Sequence, residues 1–141
     1  MPKDSSGRKK LKEGEEPTQR VEVMSETNGI KVVSWNLNGT ANELRGRTIQ
    51  SRLKTAYRSA DVFALQELKT QEFELEKILK LVSEGGRIIV DYRPDGWGGS
   101  ALVVKPQLKV TEAGVKGTGQ AAWAKVQTSK GVVGIMSIYA P

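Results

Sequence analysis

The side chains with the clearest chemical potential stand at the ends of two short apolar runs. The first, Ile30 to Gly39, reads IKVVSWNLNG and closes on Asn36 and Asn38; the second, Asp61 to Glu67, reads DVFALQE and closes on Gln66 and Glu67. Apolar runs of this length, rich in Val and aromatic residues and bounded by turn formers, are expected to be buried strands. Ligands of open α/β sheets bind outside the carboxyl ends of the strands. Two buried strands ending in an amide and a carboxylate therefore predict a shared site, with Asn36, Asn38 and Glu67 converging on one ligand. The plainer alternative is structural: an asparagine before Leu-Asn-Gly forms a turn, and a glutamate after a buried strand is a solvated strand end.

Convergence requires the two strands to run parallel. Between them, ANELRGRTIQSRLKTAYRSA places Leu44, Ile49, Leu53, Ala56 and Tyr57 on one helical face, with Arg45, Arg52, Lys54 and Arg58 around the rest. Strand, helix and strand predict a βαβ unit with parallel strands, which brings Asn36 and Glu67 to one end of the sheet. Next, Leu75, Ile78, Leu79 and Val82 recur at helical spacing, with Thr70 as the expected N-cap and Gly85-Gly86 as the stop. RIIVDY (87–92) and GSALVV (99–104) predict a hairpin about Pro94-Asp95-Gly96. GWGG (96–99) has two readings, a ligand-contacting loop and, the favoured one, the hairpin's own glycine-rich loop with one aromatic packed across it. Val110 to Gln120 reads as a glycine-rich connection. Ala121 to Gln127 and Gly131 to Tyr139 read as a second hairpin, about Ser129-Lys130.

The chain of 141 residues has room for one domain. Residues 1–29 are expected to be a disordered basic and polar leader, because MPKDSSGRKKLKEGEEPTQR has almost no apolar surface to bury. Residues 30–141 are the expected folded part. The N-terminus lacks the apolar core of a signal peptide, so an intracellular location is expected, and GRKKLK (7–12) fits a nuclear-import patch. No run is long enough to span a membrane. There is no cysteine and no histidine, which excludes thiolate chemistry, an imidazole base and sulfur- or imidazole-bound metals. Any bound metal must be a hard cation held by oxygen, such as Mg²⁺ or Mn²⁺. The net charge of +6 favours a polyanionic partner. The last residues, Tyr139-Ala140-Pro141, come straight off an apolar strand, so the domain is expected to continue beyond Pro141.

In order along the chain, IKVVSWNLNG, DVFALQELKT, GWGGSALVV and IMSIYAP resemble the opening motifs of the endonuclease/exonuclease/phosphatase superfamily, the DNase-I-like fold. The resemblance implies an α/β fold: the N-terminal half of a four-layer αββα sandwich, a mixed sheet with flanking helices, truncated at the C-terminal end. Within the superfamily, AAWAKVQTSKGVVGIMSIYAP most resembles the endonuclease domains of LINE-type (non-LTR) retrotransposons. Asn38 stands where abasic-site repair endonucleases commonly have aspartate.

What the resemblance implies is a Mg²⁺-dependent phosphodiesterase acting on DNA. Glu67 matches the family's metal-binding glutamate and Asn36 the asparagine beside it. Asn38 is a supporting metal group, and Tyr139 matches the tyrosine that contacts the scissile phosphate. The catalytic set is then Glu67, Tyr139 and Asn36. The family's catalytic histidine and its later Asp-x-Asn and Ser-Asp-His motifs follow the tyrosine strand and are absent from this chain, so the isolated chain is expected to be inactive. It is also expected to expose an apolar sheet face. The alternatives are a non-catalytic remnant whose basic surface binds nucleic acid, or an abasic-site endonuclease or phosphatase of the same superfamily.

Overall fold

The computed structural model describes residues 21–27, 29–37 and 47–139. It contains β1 (Val21–Thr27), β2 (Ile30–Asn36), α1 (Arg47–Arg58), β3 (Val62–Gln66), α2 (Glu72–Ser83), β4 (Arg87–Tyr92), β5 (Gly98–Val104), β6 (Lys109–Val115), β7 (Ala121–Thr128) and β8 (Gly131–Ile138). Five strands form a mixed sheet in the order β1-β2-β3-β5-β4, and three form an antiparallel sheet in the order β6-β7-β8. The expected βαβ unit is present: β2 and β3 run parallel, with Asn36 level with Gln66.

Side-chain alternation along the central strands builds two cores. Val33 and Trp35 of β2, Phe63 and Leu65 of β3, and Ala101 and Val103 of β5 pack against Leu53 and Tyr57 of α1 and Leu75, Ile78, Leu79 and Val82 of α2. On the opposite face, Val62, Ala64, Ile89, Leu102 and Val104 meet Ala122, Ala124 and Val126 of β7. The small residues Ala122 and Ala124 let the second sheet approach closely, and strands buried on both faces read as continuous apolar runs. The layers are thus helices, mixed sheet, then antiparallel sheet, as expected for part of an αββα sandwich.

Several elements differ from the sequence-based expectation. Within the stretch expected to be a leader, Val21–Thr27 forms β1, paired antiparallel with β2. Residues 1–20 and 28 lie outside the described residues, as do the expected first turns of the α1 helix and the turn at Asn38 to Thr40. Thr70 is not the N-cap of α2: its hydroxyl donates to the Leu68 carbonyl at 2.9 Å. Gln71 takes the N-cap position without a side-chain cap. A short polar residue in a tight connection has nearer backbone acceptors than the helix end, and here one of them wins. The connection expected from Val110 contains β6, an exposed edge strand with little apolar alternation. Its Gly114 lies under Trp123, whose indole fills the space a Cβ would take.

At the second helix stop, Glu84 adopts a left-handed conformation with φ 49°. Its carboxylate accepts from Arg58 Nε at 2.9 Å and Nη2 at 3.3 Å, tying the ends of the two helices together. This hydrogen bond from Arg58 holds the Glu84 carboxyl below its ordinary range. Val132, Met136 and Ile138 of the edge strand β8 are exposed. Among the described residues, no helix is long and apolar enough to cross a membrane.

Gly99 at the start of β5 lies against the backbone of Gly119, and a Cβ there would collide with the Gly119 carbonyl oxygen. Gly99→Ala is therefore expected to destabilise the fold by about 1–3 kcal/mol through forced separation of the two sheets. Gly134 in β8 has open space around its Cβ position. Gly134→Ala should be neutral or stabilising by up to about 1 kcal/mol. Thermal unfolding of the two variants checks the contrast.

Candidate functional site

The interface between the sheets is apolar at one end and polar at the other. On the face carrying Val62, Ala64, Leu102 and Ile89, the same alternation places Gln66 on β3, Ser100 on β5 and Asp91 on β4, all buried. Buried polar groups need partners, and these find them on the second sheet and its loop. Gln66 Nε2 donates to Ser137 Oγ at 2.9 Å. Ser137 Oγ donates to the Leu65 carbonyl at 2.9 Å, and Ser34 Oγ donates to Gln66 Oε1 at 3.3 Å. Asp91, fully buried, accepts from Gly117 N at 2.8 Å and from Ala121 N at 2.9 Å. Ser100 Oγ donates to the Gln120 carbonyl at 3.2 Å.

These bonds bring the site residues together. Glu67 follows Gln66, and Tyr139 lies two residues after Ser137, so the Gln66–Ser137 bond draws both to one end of the interface. There they line a common cavity of about 340 Å³. Tyr139 is anchored through its backbone, N–H to the Gln120 carbonyl at 2.8 Å. Lys69, Arg93, Thr118 and Gln120 also line the cavity. Asn36 sits one strand over, level with Gln66 at the same end of the sheet and half-buried. Among the described residues it is not part of the cavity lining. Asn38 lies outside the described residues.

The backbone after β3 holds two residues in the left-handed region, Glu67 at φ 53° and Lys69 at φ 43°. Each such non-glycine residue costs on the order of 1–2 kcal/mol. The conformation is held by hydrogen bonds to the start of β5: Leu68 N–H to the Gly99 carbonyl at 3.1 Å, Lys69 N–H to the Gly98 carbonyl at 2.8 Å, and Gly98 N–H to the Thr70 carbonyl at 2.8 Å. Leu68 between them is fully buried in the helix-side core. The turn thus plugs Leu68 into the core while Glu67 and Lys69 both reach the cavity.

Chemically, the cavity joins one carboxylate, a phenol and two cations. Arg93 is paired with Asp95 at 2.9 Å, both half-exposed. Among the described residues no cluster of three or more acidic groups could encage a metal. A single carboxylate still suits Mg²⁺, which keeps several waters and commonly takes one or two carboxylates together with substrate phosphate oxygens.

Of the residues that line the cavity, the sequence singled out Glu67 and, through the resemblance, Tyr139. It did not single out Lys69, Arg93, Gln120 or Asp91. For Asp91 a signal existed: a lone carboxylate in RIIVDY, in phase with the buried Ile89, must face the interior and be satisfied there. Lys69 and Arg93 gave none, because exposed cations are common along this chain. GWGG also differs from expectation. Gly98 and Gly99 are buried in β5 and line the cavity, while Trp97 is 38 % exposed instead of being packed across a loop.

Residues 33–132 match the model of the Endonuclease/Exonuclease/phosphatase family. The chain belongs to this family. No curated protein matches it by sequence. Among solved structures, it resembles the endonuclease domain of TRAS1, a telomere-specific non-LTR retrotransposon, with a TM-score of 0.54 and 19% identity over 78% of this chain and 45% of that one. Truncated TDP2 from Caenorhabditis elegans gives a TM-score of 0.54 and 19% identity over 79% of this chain and 46% of that one. A β-hairpin deletion mutant of beta toxin from Staphylococcus aureus gives 0.52 and 17% over 81% and 52%. The likeness establishes a shared fold, and the chain spans about half the length of these structures.

Two variants test the site's construction. Asp91→Ala leaves the buried Ala121 N–H and the partly buried Gly117 N–H without their carboxylate and should cost about 2–3 kcal/mol, read by denaturant unfolding. Lys69→Gly relieves the left-handed strain and should be more stable than Lys69→Ala by about 1 kcal/mol, while both lose the cation. Equal stability of the two Lys69 variants would show that the turn is not strained in solution.

Proposed function

We propose that this chain provides the metal-and-phosphate part of a Mg²⁺-dependent phosphodiesterase that cleaves DNA, of the retroelement endonuclease type. The observation that carries this reading is the meeting of Glu67 and Tyr139, far apart in sequence, in one cavity with Lys69 and Arg93. Family membership supports the reaction class, and the likeness to a retrotransposon endonuclease domain supports the type.

In this reading Glu67 would hold the cation, with Asn36, at the end of the neighbouring strand, and Asn38 as supporting groups. When bound, the Mg²⁺ neutralises charge on the phosphate. Tyr139 donates its phenolic O–H to a phosphate oxygen, and its backbone anchor on Gln120 fixes where that donor stands. Lys69 and Arg93 attract the polyanion and offset charge that grows on the phosphate as it reacts. In this reading Glu67 is committed to the cation, and the chain has no histidine to activate the water. The chain is therefore expected to bind DNA in a Mg²⁺-dependent way without nicking it on its own.

A plasmid-nicking assay paired with a DNA-binding titration tests this. Mg²⁺ should tighten binding of a short DNA, and Glu67→Ala should remove that Mg²⁺-dependent part while leaving the salt-sensitive part from Lys69 and Arg93. If the chain alone nicks plasmid with Mg²⁺, and Glu67→Ala lowers the rate by about 10² or more, the site is complete without histidine and the expectation of inactivity is wrong. Binding indifferent to both Mg²⁺ and Glu67 favours the second reading, a non-catalytic nucleic-acid-binding module, which the absence of histidine supports.

A further inference from the structure

We propose that Trp97 is a stacking platform for a nucleobase next to the phosphate held in the cavity, so that the preferred ligand is a nucleic-acid strand with an unstacked base at that position. The proposal rests on the phosphodiester reading above and goes beyond it by naming the state of the substrate.

Trp97 is 38 % exposed, although a large indole gains most from burial. Its exposure does not come from a loose loop. Trp97 N–H donates to Asp95 Oδ1 at 3.1 Å, and its carbonyl accepts from Arg93 N–H at 2.7 Å. Gly96 N–H donates to the Arg93 carbonyl at 2.9 Å, and Glu72 N–H to the Gly96 carbonyl at 3.2 Å. A β-bridge joins Trp97 to Gln71. The backbone on both sides of the indole is tied down, so the ring is presented with little conformational entropy left to lose on binding.

Its position matches a nucleotide. Gly98 and Gly99, which line the phosphate cavity, follow Trp97 directly in the chain. Two residues of strand cover roughly 6–7 Å, the reach from a phosphate to its own base. The nearby charges are Lys69, Arg93 and Glu67 in the cavity, and Asp95, which is engaged by both Arg93 and the Trp97 N–H. The cations are on the cavity side, and Trp97, though not itself part of the lining, is joined through its backbone to two lining residues, Gly98 in the chain and Arg93 by hydrogen bond. This is the pairing of charged groove and aromatic platform used by proteins that bind single strands. A base stacked within a duplex has no free face to offer, whereas an unpaired one has.

The test uses the whole chain without divalent metal, so that nothing is cleaved. Tryptophan fluorescence and anisotropy follow binding of three labelled probes: a single-stranded thymidine octamer, an octamer of the same length with abasic sugars throughout, and an octamer duplex. Trp35 is buried, so quenching reports chiefly on Trp97 and the half-buried Trp123, and Trp97→Phe separates those two. The thymidine octamer should bind about tenfold or more tightly than the abasic one and quench Trp97. Trp97→Ala should bring the two affinities together without changing that of the abasic octamer, and Trp97→Phe should keep part of the difference. Lys69→Ala should weaken both octamers by the same factor. Equal affinity of the unaltered chain for both octamers, or a preference that survives Trp97→Ala, overturns the platform while leaving the phosphate cavity standing. Tighter binding of the duplex than of the thymidine octamer overturns the requirement for an unstacked base. Binding of none of the probes, both without divalent metal and when the titration is repeated with Mg²⁺, overturns the phosphate reading and the platform together.

Discussion

The structure depends on how the two sheets are held at the polar end of their interface. Along most of its length that interface is aliphatic, and Val62, Ala64, Leu102 and Val104 could slide over Ala122, Ala124 and Val126 at little cost, because apolar contact is not directional. At the far end Gln66, Ser100, Asp91 and Ser137 are buried, and each needs specific partners. Their hydrogen bonds cross from one sheet to the other or to the loop leading into β7. An aliphatic interface supplies attraction and a polar one supplies register. Only the second can bring Glu67 and Tyr139 to the same cavity.

The same end of the molecule concentrates departures from relaxed backbone geometry. Glu67 and Lys69 are left-handed without being glycine, and the backbones of Gly99 and Gly119 touch where no side chain could fit. Strain of this kind persists only where surrounding bonds over-determine it. Here the backbone bonds to Gly98 and Gly99 and the buried Leu68 do so. The result is a rigid rim carrying a carboxylate, a phenol and two cations around one opening. A rigid arrangement suits a ligand whose phosphate and base must be met at a fixed spacing.

The division between the two sheets also explains why the charge of the chain is a poor guide to its site. The charged side chains behind the net charge of +6 are spread over the N-terminal twenty residues, the helices and the strands, with none after Lys130. Only Lys69 and Arg93 of the cationic side chains reach the cavity lining among the described residues, and Arg93 shares its charge with Asp95. The field of the whole molecule draws a polyanion toward the surface, while the local arrangement decides where a phosphate stays.

The sequence by itself determined the local elements and the family. The apolar runs at Ile30 and Asp61, the helical spacing of Leu53 and Tyr57 and of Leu75 to Val82, and the hairpins about Pro94 and Ser129 all follow from periodicity and turn chemistry, which act between near neighbours. They were enough to make β2 and β3 parallel and to set Asn36 level with Gln66. Three features escaped it. β6 has too little alternation to be recognised, Thr70 turned to Leu68 instead of capping its helix, and β1 lies in a stretch whose ordering comes from pairing with β2. The tertiary structure alone decided that Glu67, Lys69, Arg93 and Tyr139 share a cavity, that Asp91 holds the loop opposite, and that Trp97 faces outward. The physical reason is that these placements are set by hydrogen bonds and steric contacts between segments that are distant in sequence, such as the bond from Gln66 to Ser137, 71 positions away, and no local pattern encodes them.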